Sequence, residues 1–234
     1  MPPAPDSQLR RVLCLIPARS GSVRLANKNV QVIGGKTLLE RAISTGLSAF
    51  GRVVVSTDSA EYAQLAASAG ADVPGLRPPS LALPDTPIDA VIQHVLSEWE
   101  HPGAELLVLM QVTTPFTTPS DLRSVVAALE KARTASCSLT LASVSPTYAA
   151  IMATDASGAS EFIAPRLAVL RTQDVPRLGV PTGGAYAARI IRLRRGEPLL
   201  QAPYVAVWID PWRALDIDTE ADLERARSLA EGQS

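Results

Sequence analysis

No apolar stretch in these 234 residues approaches the roughly 18 that a membrane-spanning helix needs, and neither terminus carries the apolar core of a secretory signal. Export and membrane insertion are therefore not expected, and the cytoplasm is the expected place of work. Cysteine is scarce. Cys14 and Cys137 both sit in strand-like apolar runs without metal-ligand spacing, so buried thiols are expected and no disulfide framework is implied. The histidines, His94 and His101, stand near a helix end with no paired cysteine or carboxylate motif, which points to structural or solvated side chains. Neither sign of charge is in excess: the formal net charge is -1, so no global field recruits nucleic acid or an acidic membrane. Any cationic loop must act locally. The dinucleotide-binding turn G-x-G-x-x-G cannot be drawn, because Gly21 stands alone before Gly34. A Walker A loop ending in the GGKT of residues 34–37 would need glycine where Val30 stands, so Gly34-Gly35 reads as a tight turn into a helix.

What is present is a chain 47% hydrophobic and 19% charged, which suits one compact domain or one domain with an appendage. Strand-length apolar runs at 12–16, 53–56 and 106–110 alternate with helical periods at 37–49, 60–69, 88–99 and 121–133. That alternation predicts an α/β fold, a mainly parallel sheet with helices on both faces. Ligands of such sheets sit beyond the carboxyl ends of the strands. The loop after residue 16, the Thr57-Asp58 turn and the 111–119 segment all follow strand ends, so they are candidates for one shared site. After a strand at 137–144 the rhythm breaks: residues 145–181 hold prolines and no long periodic helix, which fits either an inserted arm or a plain surface excursion. Alternation resumes with 184–188, 205–209 and a helix from 219 to about 230. The expected organisation is a disordered tail over 1–9 and a single domain over 10–234.

The loop after the first strand reads PARSGSVRLANKN. Small residues at Ser20, Gly21 and Ser22 let backbone N–H groups approach an anion, while Arg19, Arg24 and Lys28 can neutralise it, as a triphosphate would require. Composition alone leaves a solvated basic turn equally open. Near the other end, Asp216 and Asp218 in LDIDT are i and i+2, so on an extended backbone both carboxylates share one face. Two hard oxygen donors suit Mg2+, which completes its shell with water and phosphate. Asp218 or Thr219 could instead cap the helix from Glu220, since Thr219 with Asp222 matches a capping box.

LIPARSGSVRLANKN at 15–29 closely resembles the opening motif of the acylneuraminate cytidylyltransferase family. Further blocks follow in that family's order: VVVSTD at 53–58, RPPSLALPDT at 77–86, LMQVTTPF at 109–116, QDVPRLGVPTGGAY at 173–186 and LDIDTEADLERA at 215–226. The resemblance implies a Rossmann-like nucleotidyltransferase fold, CTP and Mg2+ as requirements, release of pyrophosphate, and a homodimer in which an arm, here 145–181, completes the partner's site. Residue by residue it carries Arg19, Ser22, Lys28 and Asn29 onto the nucleotide loop and Arg77 onto the arginine before the proline-rich nucleotide segment. Gln111 falls on the glutamine that approaches the sugar, with an amide tying off a strand end as its other reading. Arg171 and Gln173 fall where sugar or partner-subunit contacts lie. Thr182, before Gly183, stands where the family usually has asparagine, so it either reports on the sugar or only shapes the turn. If it reports on the sugar, N-acetylneuraminic acid is expected to be a poorer substrate than a 5,7-diamino nonulosonate.

Other departures are Val23 where a lysine is common, with Arg24 next to it to take over the anion contact, and Val112 and Thr117 in place of a proline and a cation. The arginines Arg189, Arg192, Arg194 and Arg195 are expected to form a solvated face. The function implied is transfer of CMP from CTP to the anomeric hydroxyl of a 2-keto sugar acid of the sialic, legionaminic or pseudaminic type. Such in-line phosphoryl transfer needs positioning and charge neutralisation, not a protein nucleophile, so the lack of a Cys-His or Ser-His pair is no objection. The alternatives are a cytidylyltransferase for the eight-carbon acid Kdo or another sugar acid, and a nucleotide-sugar-binding subunit without turnover.

Overall fold

The computed structural model describes residues 11–99 and 102–232; the tail expected over 1–9 and His101 lie outside the described residues. In chain order the strands are β1 Val12–Pro17, β2 Val32–Ile33, β3 Lys36–Thr37, β4 Val53–Ser56, β5 Leu106–Leu109, β6 Cys137–Ser143, β7 Met152–Thr154, β8 Ser160–Phe162, β9 Gly179–Arg189 and β10 Tyr204–Ile209. The helices are α1 Leu38–Phe50, α2 Ala60–Ser68, α3 Ile88–Glu98, α4 Pro119–Lys131, α5 Pro165–Ala168, α6 Ile190–Leu193 and α7 Glu220–Glu231. A six-stranded sheet in the order β10-β6-β9-β5-β1-β4 forms the centre, and β9 alone runs against its neighbours.

Strand alternation sorts the core into two clusters on opposite faces of the sheet. Val12, Cys14 and Ile16 of β1 pack with α1, α2, α4 and α7, whereas Leu13 and Leu15 pack with α3 and α6. Helices on both faces of a mostly parallel sheet are what the alternating sequence predicts. Both cysteines are free and buried, and burial pushes each thiol up to about 12. None of the described helices is long and apolar enough to cross a membrane.

The helix starts follow their caps. Thr37 and Glu40 form a reciprocal capping box on α1, reached through a Gly34-Gly35 turn at φ +55 and +77, so the tight-turn reading of GGKT holds. The helix expected from 121 begins at Pro119, because Thr118 and Asp121 make a second capping box with proline in the first turn. Thr219 and Asp222 make the third, on α7, which releases Asp218 from side-chain capping. Two further expectations change. The strand expected at 184–188 extends back to Gly179, since its ladder with β6 resumes beyond a register shift between Leu139 and Leu141. Arg189 and Arg192 do not belong to a solvated face. Arg189 donates to the carbonyls of Ala135 and Leu129 at 2.9 Å each, and Arg192 donates to Ser136 O and pairs with Glu197 at 2.7 Å. Both hold orphan carbonyls where α4 hands over to β6.

Residues 145–181 carry the β7-β8 hairpin and α5, with Tyr148, Met152, Ile163 and Val169 exposed.

Candidate active site

A cleft of about 390 Å³ opens at the carboxyl ends of β1 and β5. The loop after β1 contributes Arg19, Ser22, Val23, Arg24, Lys28 and Asn29; the segment after β4 contributes Arg77, Leu83, Pro84 and Thr86; β5's exit contributes Gln111, Val112 and Thr113; Asp216 and Asp218 close the wall. Two of the three strand-end segments named from the sequence, the loop after β1 and the 111–119 segment, line this cleft; the Thr57-Asp58 turn does not, and instead meets the β1 loop from behind through Ser20. Asp216 and Asp218 face the cleft together while Ile217 between them is fully buried, the i, i+2 arrangement expected of an extended segment. Ile217 N–H donates to Thr113 O at 2.9 Å, which docks the acidic segment beside β5.

Charge is concentrated unevenly. Lys28 Nζ and Arg24 Nη2 reach the same oxygen, Asp218 Oδ1, at 2.9 and 2.8 Å. Arg24 thus rests on a carboxylate. Burial pushes Asp216 above the usual carboxylate range, and the neighbouring Asp218 charge adds to the push; a Thr113 hydrogen bond and the Lys28 and Arg24 charges oppose it. Arg77 is buried, with Nη2 donating to Ser56 O at 2.6 Å, Nη1 to Leu81 O at 3.3 Å, and Nε unpartnered. It holds the 78–86 segment to the end of β4, and burial pulls its pKa down. Asn29 donates to Arg19 O at 2.9 Å, closing the loop after β1 on itself.

Several sequence-predicted residues are placed elsewhere. Ser20 turns both of its donors away from the cleft, N–H to Asp58 Oδ1 at 2.8 Å and Oγ to Asp58 Oδ2 at 2.5 Å, so it offers neither to an anion. Gly21, at φ +67, lies at the turn's apex and not on the cleft wall. Arg171 and Gln173 are exposed on the excursion, with Arg171 paired to Asp174 at 2.7 Å, and the structure does not bring them to the cleft. Thr182 is buried beneath it. Its hydroxyl is 2.7 Å from Thr140 Oγ1 and accepts from Gly184 N–H at 3.2 Å, and it does not line the cleft, an arrangement that shapes the turn before Gly183. Thr117 is buried too, against Thr114. Gly183 sits at φ +74, where a Cβ would come within 2.8 Å of Gln111 Oε1, and so leaves the Gln111 amide room to face the cleft. Gln111 ties off no strand end through its side chain among the described hydrogen bonds.

Sequence reasoning missed the work of Asp58 and Thr113. Asp58 lies in the quoted VVVSTD block and Thr113 in LMQVTTPF, but nothing local says which way either side chain turns. His94 buries an unpartnered Nδ1 in α3, away from the cleft, consistent with a structural histidine.

Three comparisons bear on what such a cleft belongs to. The chain is 36% identical over 120 residues to the CMP-N,N'-diacetyllegionaminic acid synthase of Legionella pneumophila, an overlap of 50% of this chain and 52% of that protein. It therefore spans about half the length of that curated relative. It is 29% identical over 251 aligned positions to the 3-deoxy-manno-octulosonate cytidylyltransferase of a Chelativorans species, covering 93% of this chain and 96% of the other. The solved CMP:2-keto-3-deoxy-manno-octonic acid synthetase complexed with CTP shares the fold at a TM-score of 0.72, with 18% identity, over 96% of this chain and 100% of that one. The sequence model of the cytidylyltransferase family matches residues 13–175, well over half of the chain, and the chain belongs to that family.

Proposed function

We propose that the protein transfers CMP from CTP to the anomeric hydroxyl of a nonulosonic acid, releasing pyrophosphate. The observation that carries the reading is a single cleft lined by the cations of the β1 loop, by Arg77 and by a carboxylate pair, within a chain of the cytidylyltransferase family. In the reaction the hydroxyl oxygen forms a bond to the α-phosphorus and gives its proton to water as the bond from that phosphorus to the α–β bridging oxygen breaks, and negative charge accumulates on phosphoryl and leaving oxygens. Arg19, Lys28 and Arg24 neutralise that charge, Asn29 closes the loop that carries them, and Arg77 holds the 78–86 wall to the end of β4. Gln111, on the floor where the acid would lie, orients it through its amide.

The donor set suits magnesium. Asp216 and Asp218 supply two hard oxygen donors on one wall of the cleft, and Mg2+ takes few carboxylates and completes its shell with phosphate and water. Asp216 and Asp218 would hold Mg2+, which would supply charge neutralisation at the phosphates. Lys28 and Arg24, both on Asp218 Oδ1, are within side-chain reach of the same cleft for a triphosphate. The exposed apolar side chains of the 145–181 excursion support a homodimer built on this arm.

The legionaminic acid relative supports a nonulosonic substrate; the full-length match to the octulosonate enzyme favours Kdo as the second reading. Pyrophosphate release should be measured with CTP, Mg2+ and a panel of N,N'-diacetyllegionaminic, pseudaminic and N-acetylneuraminic acids and Kdo. Turnover confined to Kdo selects the second reading. CTP binding without release from any acid reduces the protein to a binding subunit.

A further inference from the structure

Asp58 stands one residue before Ser59, the cap of α2, and takes no part in that cap. It lines none of the cleft. Both of its carboxylate oxygens are spent on one residue 38 positions earlier, Ser20, whose N–H and Oγ donate to Oδ1 and Oδ2. The stem of the β1 loop has other anchors: Ala18 N–H donates to Ser56 O at 2.9 Å, and Asn29 holds Arg19 O. The apex has none. Among the described hydrogen bonds, residues 20–22 are joined to the rest of the fold through Asp58 alone, apart from Arg19 reaching the carbonyls of Ser20 and Gly21 beside it. A carboxylate directly behind an anion-binding loop is electrostatically unfavourable for that anion, so a purely electrostatic cradle would not put one there. A geometric role explains it. Burial pushes the Asp58 carboxyl upward, but the two Ser20 donors, its own N–H and the Arg77 charge outweigh this and hold it below the usual range, so it stays an acceptor.

We propose that Asp58 is a positioning residue for the triphosphate: it clamps Ser20 from behind, so that the turn at Gly21 presents Arg19 and Ser22 to the cleft before nucleotide arrives. The inference rests on the reading of the cleft as a CTP site. A preformed cradle needs no ordering when the ligand binds, and the gain falls on the part of the nucleotide the loop holds. The clamp therefore acts on the β- and γ-phosphates and not on the nucleoside.

Calorimetric titration of CTP and of CMP into wild type, Asp58→Ala, Asp58→Asn and Ser20→Ala tests this, with melting temperature recorded alongside. Asp58→Ala should weaken CTP about tenfold and leave CMP within about twofold, since loss of two hydrogen bonds to a charged acceptor frees only the triphosphate loop. Asp58→Asn can still accept from Ser20 N–H and donate to Oγ, and should recover most of the CTP affinity. Ser20→Ala loses one bond and no charge, and should fall between. A structural role alone would lower the melting temperature and shift CTP and CMP equally, or shift neither; either result overturns the proposal. Should Asp58→Ala fail to fold, Ser20→Ala decides by the same ratio. A wild-type protein that binds no CTP refutes the functional reading itself, whereas normal wild-type binding with an unchanged ratio in the variants refutes only the clamp.

Discussion

Replacing Arg24 with alanine should move metal and nucleotide affinity in opposite directions. Arg24 Nη2 lies 2.8 Å from Asp218 Oδ1 with 68% of its side chain exposed, and Lys28, 16% exposed, shares that oxygen at 2.9 Å. At that separation in water-like surroundings the attraction is about 1.5 kcal/mol, and exposed pairs deliver less, about 0–1 kcal/mol net. For a chain of this length the melting temperature of Arg24→Ala should therefore fall by no more than about 4 °C. Function should respond more. If Arg24 swings from Asp218 to the triphosphate, CTP titrated without divalent metal should bind about tenfold more weakly, about 1.4 kcal/mol. Mn2+ titrated without nucleotide and followed by electron paramagnetic resonance should bind several-fold more tightly, because one of two cations competing for Asp218 Oδ1 has gone. Val23, exposed on the cleft rim, should accept lysine with neutral or mildly favourable CTP binding. Unchanged CTP and Mn2+ affinities in Arg24→Ala would leave the arginine a solvated surface residue and refute the exchange.

Asp216→Asn and Asp218→Asn should each lower kcat about 10²-fold while CTP binding survives better, since a lost ligand weakens charge stabilisation in the transition state; near-normal pyrophosphate release from both, with intact circular dichroism, removes the pair from the mechanism. The raised pKa of Asp216 means the fold prefers its protonated form, so its contribution to stability is present below the unfolded value of 3.8 and lost as pH rises through the folded one. In metal-free buffer the wild type should therefore lose melting temperature relative to Asp216→Asn over that rise, and parallel curves would contradict it. Gly183→Ala should cost about 1–2 kcal/mol for a left-handed backbone, and by displacing Gln111 should raise KM for the acid more than for CTP; equal KM changes would separate Gln111 from the acid. Thr182→Asn should destabilise by about 1–3 kcal/mol through the lost Thr140 hydrogen bond, without altering the kcat/KM ratio between N-acetylneuraminic and 5,7-diamino acids. An altered ratio with unchanged stability would restore Thr182 as a specificity residue.

Local sequence was sufficient for the order and type of the principal elements, because strand alternation, helical period and capping boxes are written within a few residues of one another. It was sufficient, too, for the shared face of Asp216 and Asp218, since that follows from the two-residue period of an extended backbone. Tertiary structure alone decided the rest. The reversal of β9 between β5 and β6 leaves no mark in its own residues, which look the same in either direction. Ser20 and Thr182 kept small polar side chains whose targets, Asp58 and Thr140, are 38 and 42 positions away, so whether each hydroxyl faced a ligand or the protein could not be read along the chain. Arg189 and Arg192 looked like surface charge until the end of α4 was packed beneath them. Lys28 meets Asp218 across 190 residues, and only folding the α7 approach against the β1 loop puts two cations on one carboxylate oxygen. Side-chain direction at such distances is set by packing, and packing carries no period that a single sequence displays.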